Sequence, residues 1–144
     1  YNRQWGYKDI CPEILAEPFL EGQEKIEYQL FCNNGRPIFF LVRKDLGENE
    51  SLGWNVCYSV DWHNVKYRDD SSETIFLEKP VNYDTMLTIA KKLSEDTLHL
   101  RVDFFEVDGE LYVGELTFYS HSGDFCNFNK EGINILSDTL TLPV

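Results

Sequence analysis

Long apolar runs are missing from this chain. The greasiest stretch, IFFLV at 38–42, falls far short of the roughly 20 residues that a membrane-crossing helix needs, and no signal-peptide pattern precedes it. Positive charge is scarce: 13 Lys and Arg stand against 25 Asp and Glu, for a formal charge of -12. That balance argues against a nucleic-acid surface, and against binding anionic lipid without a bridging cation. It does not exclude a nucleotide, which arrives as a metal complex. Neither a GxGxxG nor a Walker-type phosphate loop occurs, and there is no internal repeat or low-complexity tract. The cysteines, Cys11, Cys32, Cys57 and Cys126, form no CxxC, and His63, His99 and His121 show no zinc spacing. Reduced thiols in a cytoplasmic protein are the expectation. The first residue is Tyr1 and not Met, so a piece of something longer is expected, although 144 residues suit a single domain over 1–144.

What the sequence does have is alternation. KIEYQLFCN at 25–33 sets Ile26, Tyr28, Leu30 and Cys32 against Glu27, Gln29, Phe31 and Asn33. Asn34-Gly35 then leads into PIFFLVRK, a hairpin pattern. WNVCYSVDW reads as a further strand, and the segments 45–53 and 63–73 as loops. A short strand is expected over about 13–20. NYDTMLTIAKKLSE at 82–95 is the one main helix: Asn82 is placed to cap it, Asp84 and Lys91-Lys92 suit its dipole, and Met86, Ile89, Ala90 and Leu93 form a stripe. On that stripe Leu93→Asp should prevent folding. The fold class expected is α+β, a largely antiparallel sheet packed by this helix. Trp54, Trp62 and Tyr67 offer either core or a stacking surface. Arg43, Lys44, Lys66 and Arg68 are candidates for an anionic ligand.

The most chemical stretch is LHLRVDFFEVDGELYVGELTF at 98–118, two strands and a tight turn. Arg101, Asp103 and Phe105 alternate with Leu100, Val102 and Phe104, and Glu115 and Thr117 with Leu116 and Phe118. A two-residue Asp108-Gly109 turn pairs Val107 with Glu110 and sends Glu115 to the opposite side from Asp103. A three-residue loop, Val107 to Gly109, pairs Glu106 with Glu110 and gathers Arg101, Asp103, Glu115 and Thr117 on one face. The second register is expected because it keeps the apolar row on the core side. Two carboxylates and a hydroxyl on rigid strands suit a hard cation such as Mg2+, and the arginine fork suits phosphate or carboxylate. An ordinary solvated strand face with a surface Arg–Asp pair fits the same pattern.

RVD, a turn with glycine, then GELTFY and Gly123 resemble the C-terminal signature of the ATP-grasp superfamily, specifically its TupA-like branch, which is associated with bacterial cell-surface polysaccharide or teichuronopeptide biosynthesis. The resemblance runs over about residues 5–143 and implies the C-terminal lobe of an ATP-grasp fold, with ATP and Mg2+ as cofactors. It implies Asp103 and Glu115 as metal ligands, with Thr117 where many relatives have Asn, and Arg101 as the clamp on the transferring phosphoryl group or acyl phosphate. Glu17, Pro18, Phe19 and Leu20 match the hinge beside the adenine, and Glu27 the carboxylate facing the ribose. His121, Ser122 and Gly123 fall in the substrate loop, where relatives more often have Pro-Gly at the positions of Ser120-His121. Tyr28-Gln29 stands where the pattern commonly has Tyr-Lys.

The lobe that carries the family's lysines and glycine-rich phosphate loop has no counterpart here. The chain therefore reads as the metal-binding half of an ATP-dependent ligase, inactive by itself and partnered by the missing N-terminal lobe. Its substrate would be a small molecule or polysaccharide precursor, as in capsule or wall decoration. Two other readings stay open. One is a polysaccharide glycosyltransferase, though Asp69-Asp70 and Asp103 do not supply its DxD-like motif. The other is a noncatalytic glycan-binding or scaffold module.

Overall fold

The structure, a computed structural model, describes residues 5–17, 26–44, 53–72 and 75–142. Its frame is a six-stranded antiparallel sheet in the order β4-β3-β2-β1-β5-β6, built from β1 (Ile26–Asn33), β2 (Arg36–Lys44), β3 (Trp54–Ser59), β4 (Asn64–Val65), β5 (His99–Val107) and β6 (Glu110–Thr117). Two helices accompany it, α1 (Tyr83–Ser94) and α2 (Lys130–Asp138). The α+β class expected from the alternation is the class observed.

The β1–β2 turn is the one the sequence announces. Asn34 and Gly35 have φ of 48° and 74°, the left-handed pair that joins two twisted strands in two residues. Alternation then sorts the sheet into two faces. Tyr28, Leu30 and Cys32 of β1, Phe40 and Val42 of β2, Val56 and Tyr58 of β3, and Leu100, Val102 and Phe104 of β5 form one core with Tyr83, Met86 and Ala90 of α1. Trp62 joins this core, stacked on Tyr58 at 4.4 Å between ring centroids, so it is packing and not a sugar platform. Tyr67 packs edge-on against Phe39. On the opposite face Phe31, Phe39, Leu41 and Cys57 are covered by Phe128 and by Leu136 of α2. That cover stops partway along the strands.

Helix α1 corrects two details. Its buried residues are Tyr83, Met86, Ala90 and Ser94, whereas Leu93 is 40% exposed; the buried stripe reaches the last turn through Ser94 and leaves Leu93 at its edge, so Leu93→Asp loses its reason to prevent folding. Asn82 does not cap the helix through its side chain. Its Nδ2 donates to Glu106 Oε1 at 2.7 Å and to the Gly109 carbonyl at 2.9 Å, tying the helix start to the β5–β6 turn. In α2 the cap is made in full, Asn129 Oδ1 accepting from the Gly132 N–H at 2.9 Å.

Of the strand expected over 13–20, residues 13–17 are irregular and exposed. Ile14 and Leu15 are 99% and 84% exposed, so their apolar character does not make a strand there. Residues 18–20 lie outside the described ones. Tyr7 crosses the end of β6, its hydroxyl accepting from the Phe118 N–H at 2.9 Å and its ring meeting Tyr119 edge-on.

The β5–β6 register also differs from expectation. Asp108 and Gly109 have φ of 53° and 80° and Val107 pairs with Glu110, so the turn is the two-residue form. By itself that would send Glu115 to the α1 side. Between Asp103 and Phe104 the register shifts by one: Phe104 faces Val113 while Asp103 faces Glu115, which leaves Gly114 as an extra residue on β6. This bulge restores Arg101, Asp103, Glu115 and Thr117 to one face. A side chain at Gly114 would collide with the Phe105 ring, whose nearest atom is 2.4 Å from the Cβ position. Glycine is what lets the strand bulge against its neighbour.

Candidate functional site

Where the cover of Phe128 and α2 ends, the same sheet face turns polar. Arg101 and Asp103 lie two residues apart on β5, and the guanidinium folds along the strand to grip the carboxylate with both arms of its fork. Nε donates to Oδ1 at 2.7 Å and Nη2 to Oδ2 at 2.6 Å. Nη2 also donates to Oε2 of Glu115, across on β6, at 2.8 Å. Asp103 is 0% exposed, the Glu115 side chain 61%. A solvated surface pair, the plain alternative for this pattern, would not be buried in this way.

Burial sets the electrostatics. The Asp103 carboxyl is pushed up to about 6, because desolvation outweighs the opposing pull of the Arg101 guanidinium, and Glu27 and Glu115 add to the rise. Arg101 is held above its ordinary value: burial works against its charge, but Asp103, Glu115 and Glu27 prevail. Next to Asp103 in the β1 register is buried Gln29. Its Nε2 donates to Glu27 Oε2 at 2.9 Å, and the same oxygen lies 3.4 Å from Nε of Arg43.

These groups border a cavity of about 470 Å3, lined by Glu27, Gln29, Arg43, Arg101 and Glu115, with Trp54, Asn55, Arg68 and His121 among its other walls. Arg43, Lys44 and Arg68 therefore reach a common space, and Lys66 is not among the lining residues. Arg68 is itself gripped by Asp70, Nε to Oδ1 at 2.8 Å and Nη2 to Oδ2 at 2.7 Å, with its guanidinium over the Phe128 ring. Four cationic side chains, Arg43, Lys44, Arg68 and Arg101, share its walls with the carboxylates of Glu27 and Glu115.

The loop after β6 divides its residues. His121 and Ser122 have left-handed φ of 51° and 55°, followed by Gly123 at 73°, so the chain coils tightly. His121 points at the charged cavity while Ser122 and Gly123 line a second, mostly apolar one of about 490 Å3 that reaches α2. His121 is held below its ordinary value by burial first, and then by Arg68, Arg101 and Arg43; it is neutral at pH 7.

Glu17 is exposed and, with Leu15 and Ala16, flanks a shallow cleft against Val113–Leu116. Pro18, Phe19 and Leu20 lie outside the described residues. Thr117 pairs with Arg101 in register, and its Oγ1 is buried without a partner. No group of three or more His, Cys, Asp or Glu side chains that could hold a metal occurs among the described residues. The donor set is two carboxylates and an orphaned hydroxyl. That suits Mg2+, which takes few protein ligands and fills its shell with water and phosphate oxygens.

Gln29, which stands where the resemblance commonly has Lys, lines the cavity. Sequence reasoning missed Asn55 as a cavity wall, and its Oδ1 is a second buried oxygen without a partner. Its only signal was a period-two match to Cys57 on the same face. Also missed was a buried relay at the edge of the second cavity. Asn33 Nδ2 donates to the Leu136 carbonyl and to Thr139 Oγ1, both at 2.8 Å. A carbonyl only accepts, so Asn33 Oδ1 is the atom facing His99 Nδ1 at 2.8 Å, and that nitrogen carries the hydrogen. His99 Nε2 is left to accept from the Ser120 hydroxyl at 2.9 Å. Burial, with help from Arg101, holds His99 down at about 4.

A family model described as TupA-like ATPgrasp matches residues 1–141. No curated protein and no solved structure matches the chain.

Proposed function

Because the chain belongs to the TupA-like ATP-grasp family, we propose that it is the metal- and phosphate-handling half of an ATP- and Mg2+-dependent ligase. The observation that carries this reading is the meeting of Asp103 and Glu115 on one guanidinium at the edge of a cavity that Arg43, Lys44 and Arg68 also line. Family membership brings ATP and a ligase-type reaction; the geometry supports assigning the parts.

Asp103, Glu115 and the Thr117 hydroxyl would hold Mg2+. When bound, the metal neutralises the phosphate oxygens and orients them for in-line transfer. The chain's own contribution is placement and field. Strands β5 and β6 fix the two acids, Arg101 offers a planar fork to the transferring group, and Arg43, Lys44 and Arg68 draw an anion into the cavity. Glu27 is the acceptor proposed for the ribose, and Glu17 to Leu20 the segment proposed to read the base. His121, which lines the same cavity, is the residue proposed to touch the substrate, with Ser122 and Gly123 shaping the loop beside it.

The reaction we assign to the intact protein is activation of a carboxylate as an acyl phosphate, then displacement by an amine or other nucleophile, in building a cell-surface polysaccharide. The domain over 1–144 would contribute its C-terminal half, and a lobe preceding it the lysines and phosphate loop. In the intact protein, Glu115→Gln should abolish most ATP turnover and raise the Mg2+ concentration needed for what is left. Unchanged turnover and unchanged Mg2+ dependence would end the assignment.

A further inference from the structure

Asp103 has no approach of its own from the cavity. It is 0% exposed, both its oxygens accept from Arg101, and it is absent from the cavity wall that Arg101 and Glu115 help to form. The guanidinium lies between the buried acid and the open space, and the nitrogen it gives to Asp103 Oδ2 is the one it gives to Glu115. One positive side chain is already neutralising the two carboxylates that the reading above assigns to metal.

We infer that Arg101 is the resident counter-ion of the site: a metal ion entering between Asp103 and Glu115 displaces its guanidinium from Asp103, and only then are the arginine's donors free for an anion. The inference rests on the metal reading. Two cations cannot share this pair in close contact without strong repulsion, and Asp103, on a central strand, cannot move aside. Arg101 and Glu115 can. The Glu115 side chain is 61% exposed and free to follow the ion. The arginine's long stem needs only to rotate away from the strand to bring its fork into the cavity it already lines. Metal and anion then bind in a set order, each favouring the other.

The test follows the side-chain Nε–H of Arg101 by nitrogen-15 NMR while Mg2+ alone is added at pH 8. Without metal the Nε–H should exchange slowly, shielded by its bond to Asp103; with Mg2+ that protection should fall at least about tenfold as the bond breaks. In parallel, Mn2+ affinity is measured for the native protein, Arg101→Met and Arg101→Lys, each checked for folding by circular dichroism. Removing the competing charge-assisted bonds should tighten Mn2+ binding by roughly tenfold or more in Arg101→Met, with Arg101→Lys in between. If Mg2+ shifts the Asp103 and Glu115 carboxyl signals while the Arg101 Nε–H stays protected, or if a folded Arg101→Met binds Mn2+ no tighter, the counter-ion role is wrong and the metal reading stands. If neither carboxyl responds to Mg2+ in the native protein or either variant, both fall together. Should Arg101→Met not fold, the native titration decides.

Discussion

Gly114→Ala tests the device that assembles the site. The turn alone would pair Asp103 with residue 114; only the extra residue at Gly114 brings Glu115 opposite Asp103. An added Cβ would lie 2.4 Å from Phe105 Cε2 and 2.8 Å from Cδ2, where carbon atoms at rest keep about 3.5–4.0 Å. Either the Phe105 ring moves by more than about 1 Å or the bulge dissolves and β6 slips by one residue, carrying Glu115 to the α1 side. Overpacking of this kind costs about 1–3 kcal/mol, a fall in Tm of roughly 3–10 °C for a chain of this size. Urea and thermal unfolding measure the cost, and a cycle with Phe105→Ala locates it. With the ring gone, the penalty for Gly114→Ala should shrink by half or more. A Gly114→Ala protein within about 0.5 kcal/mol of native, or a penalty that persists without the ring, refutes the steric argument. A cross-strand contact between residues 103 and 115 that survives in a destabilised variant refutes the slip.

Other substitutions separate packing from chemistry. Met86→Ala, at a residue 0% exposed, should cost about 2–4 kcal/mol, while Leu93→Asp, at 40% exposure, should cost less than about 1 kcal/mol; urea midpoints in the reverse order would mean the helix face is misread. Asp103→Asn leaves the Arg101 charge buried with only Glu115 to answer it and should cost about 3 kcal/mol or more. Glu115→Gln, at the exposed end of the same triad, should stay within about 1 kcal/mol of native, and equal losses would contradict the burial asymmetry. His99, lowered from 6.5 to about 4, contributes stability that is complete above pH 6.5 and lost as pH falls toward 4. The loss is at most about 3 kcal/mol. Asp103, raised to about 6, acts with the opposite sign in an overlapping window, its contribution lost as pH rises through 6. The measure is therefore the difference between native protein and His99→Gln in urea unfolding at pH 7.5 and 4.5. Identical pH dependence in the two would exclude the histidine.

Much of the sheet was legible because its signals are local. Asn34-Gly35 states its own turn, and the alternation through β1, β2 and β5 is enough to assign faces. The β6 register was not legible, because a bulge is a three-dimensional accommodation: Gly114 reads as one more strand residue until the Phe105 ring is known to lie beside it. The convergence of Arg101, Asp103 and Glu115 was anticipated from the wrong turn, with the bulge supplying the one-residue shift that the turn does not. Leu93 failed for a related reason, since helical spacing predicts a stripe but not which of two neighbouring residues lies at its centre, and in the last turn that residue is Ser94. Asn55 looked like strand polarity of no consequence, and only the cavity gives it a place.

The cost of the arrangement points to its purpose. Along β1 the site face runs from Asn33 and Phe31, buried under α2 and Phe128, to Gln29 and then Glu27, partly open. Across this gradient, opposite Phe31 and Gln29, the chain spends an arginine and an aspartate where Leu or Met of similar volume would pack. A buried ion pair recovers little more than its own desolvation, and apolar replacements are often neutral or stabilising. Stability therefore does not account for Arg101 and Asp103. Nor does the register, which the turn, the bulge and the apolar row on the α1 side already fix. The proposed ligase role supplies the account that packing does not: a carboxylate kept dry, a guanidinium kept close, and a second acid at the solvent boundary, next to a cavity whose other walls include Arg43, Lys44 and Arg68.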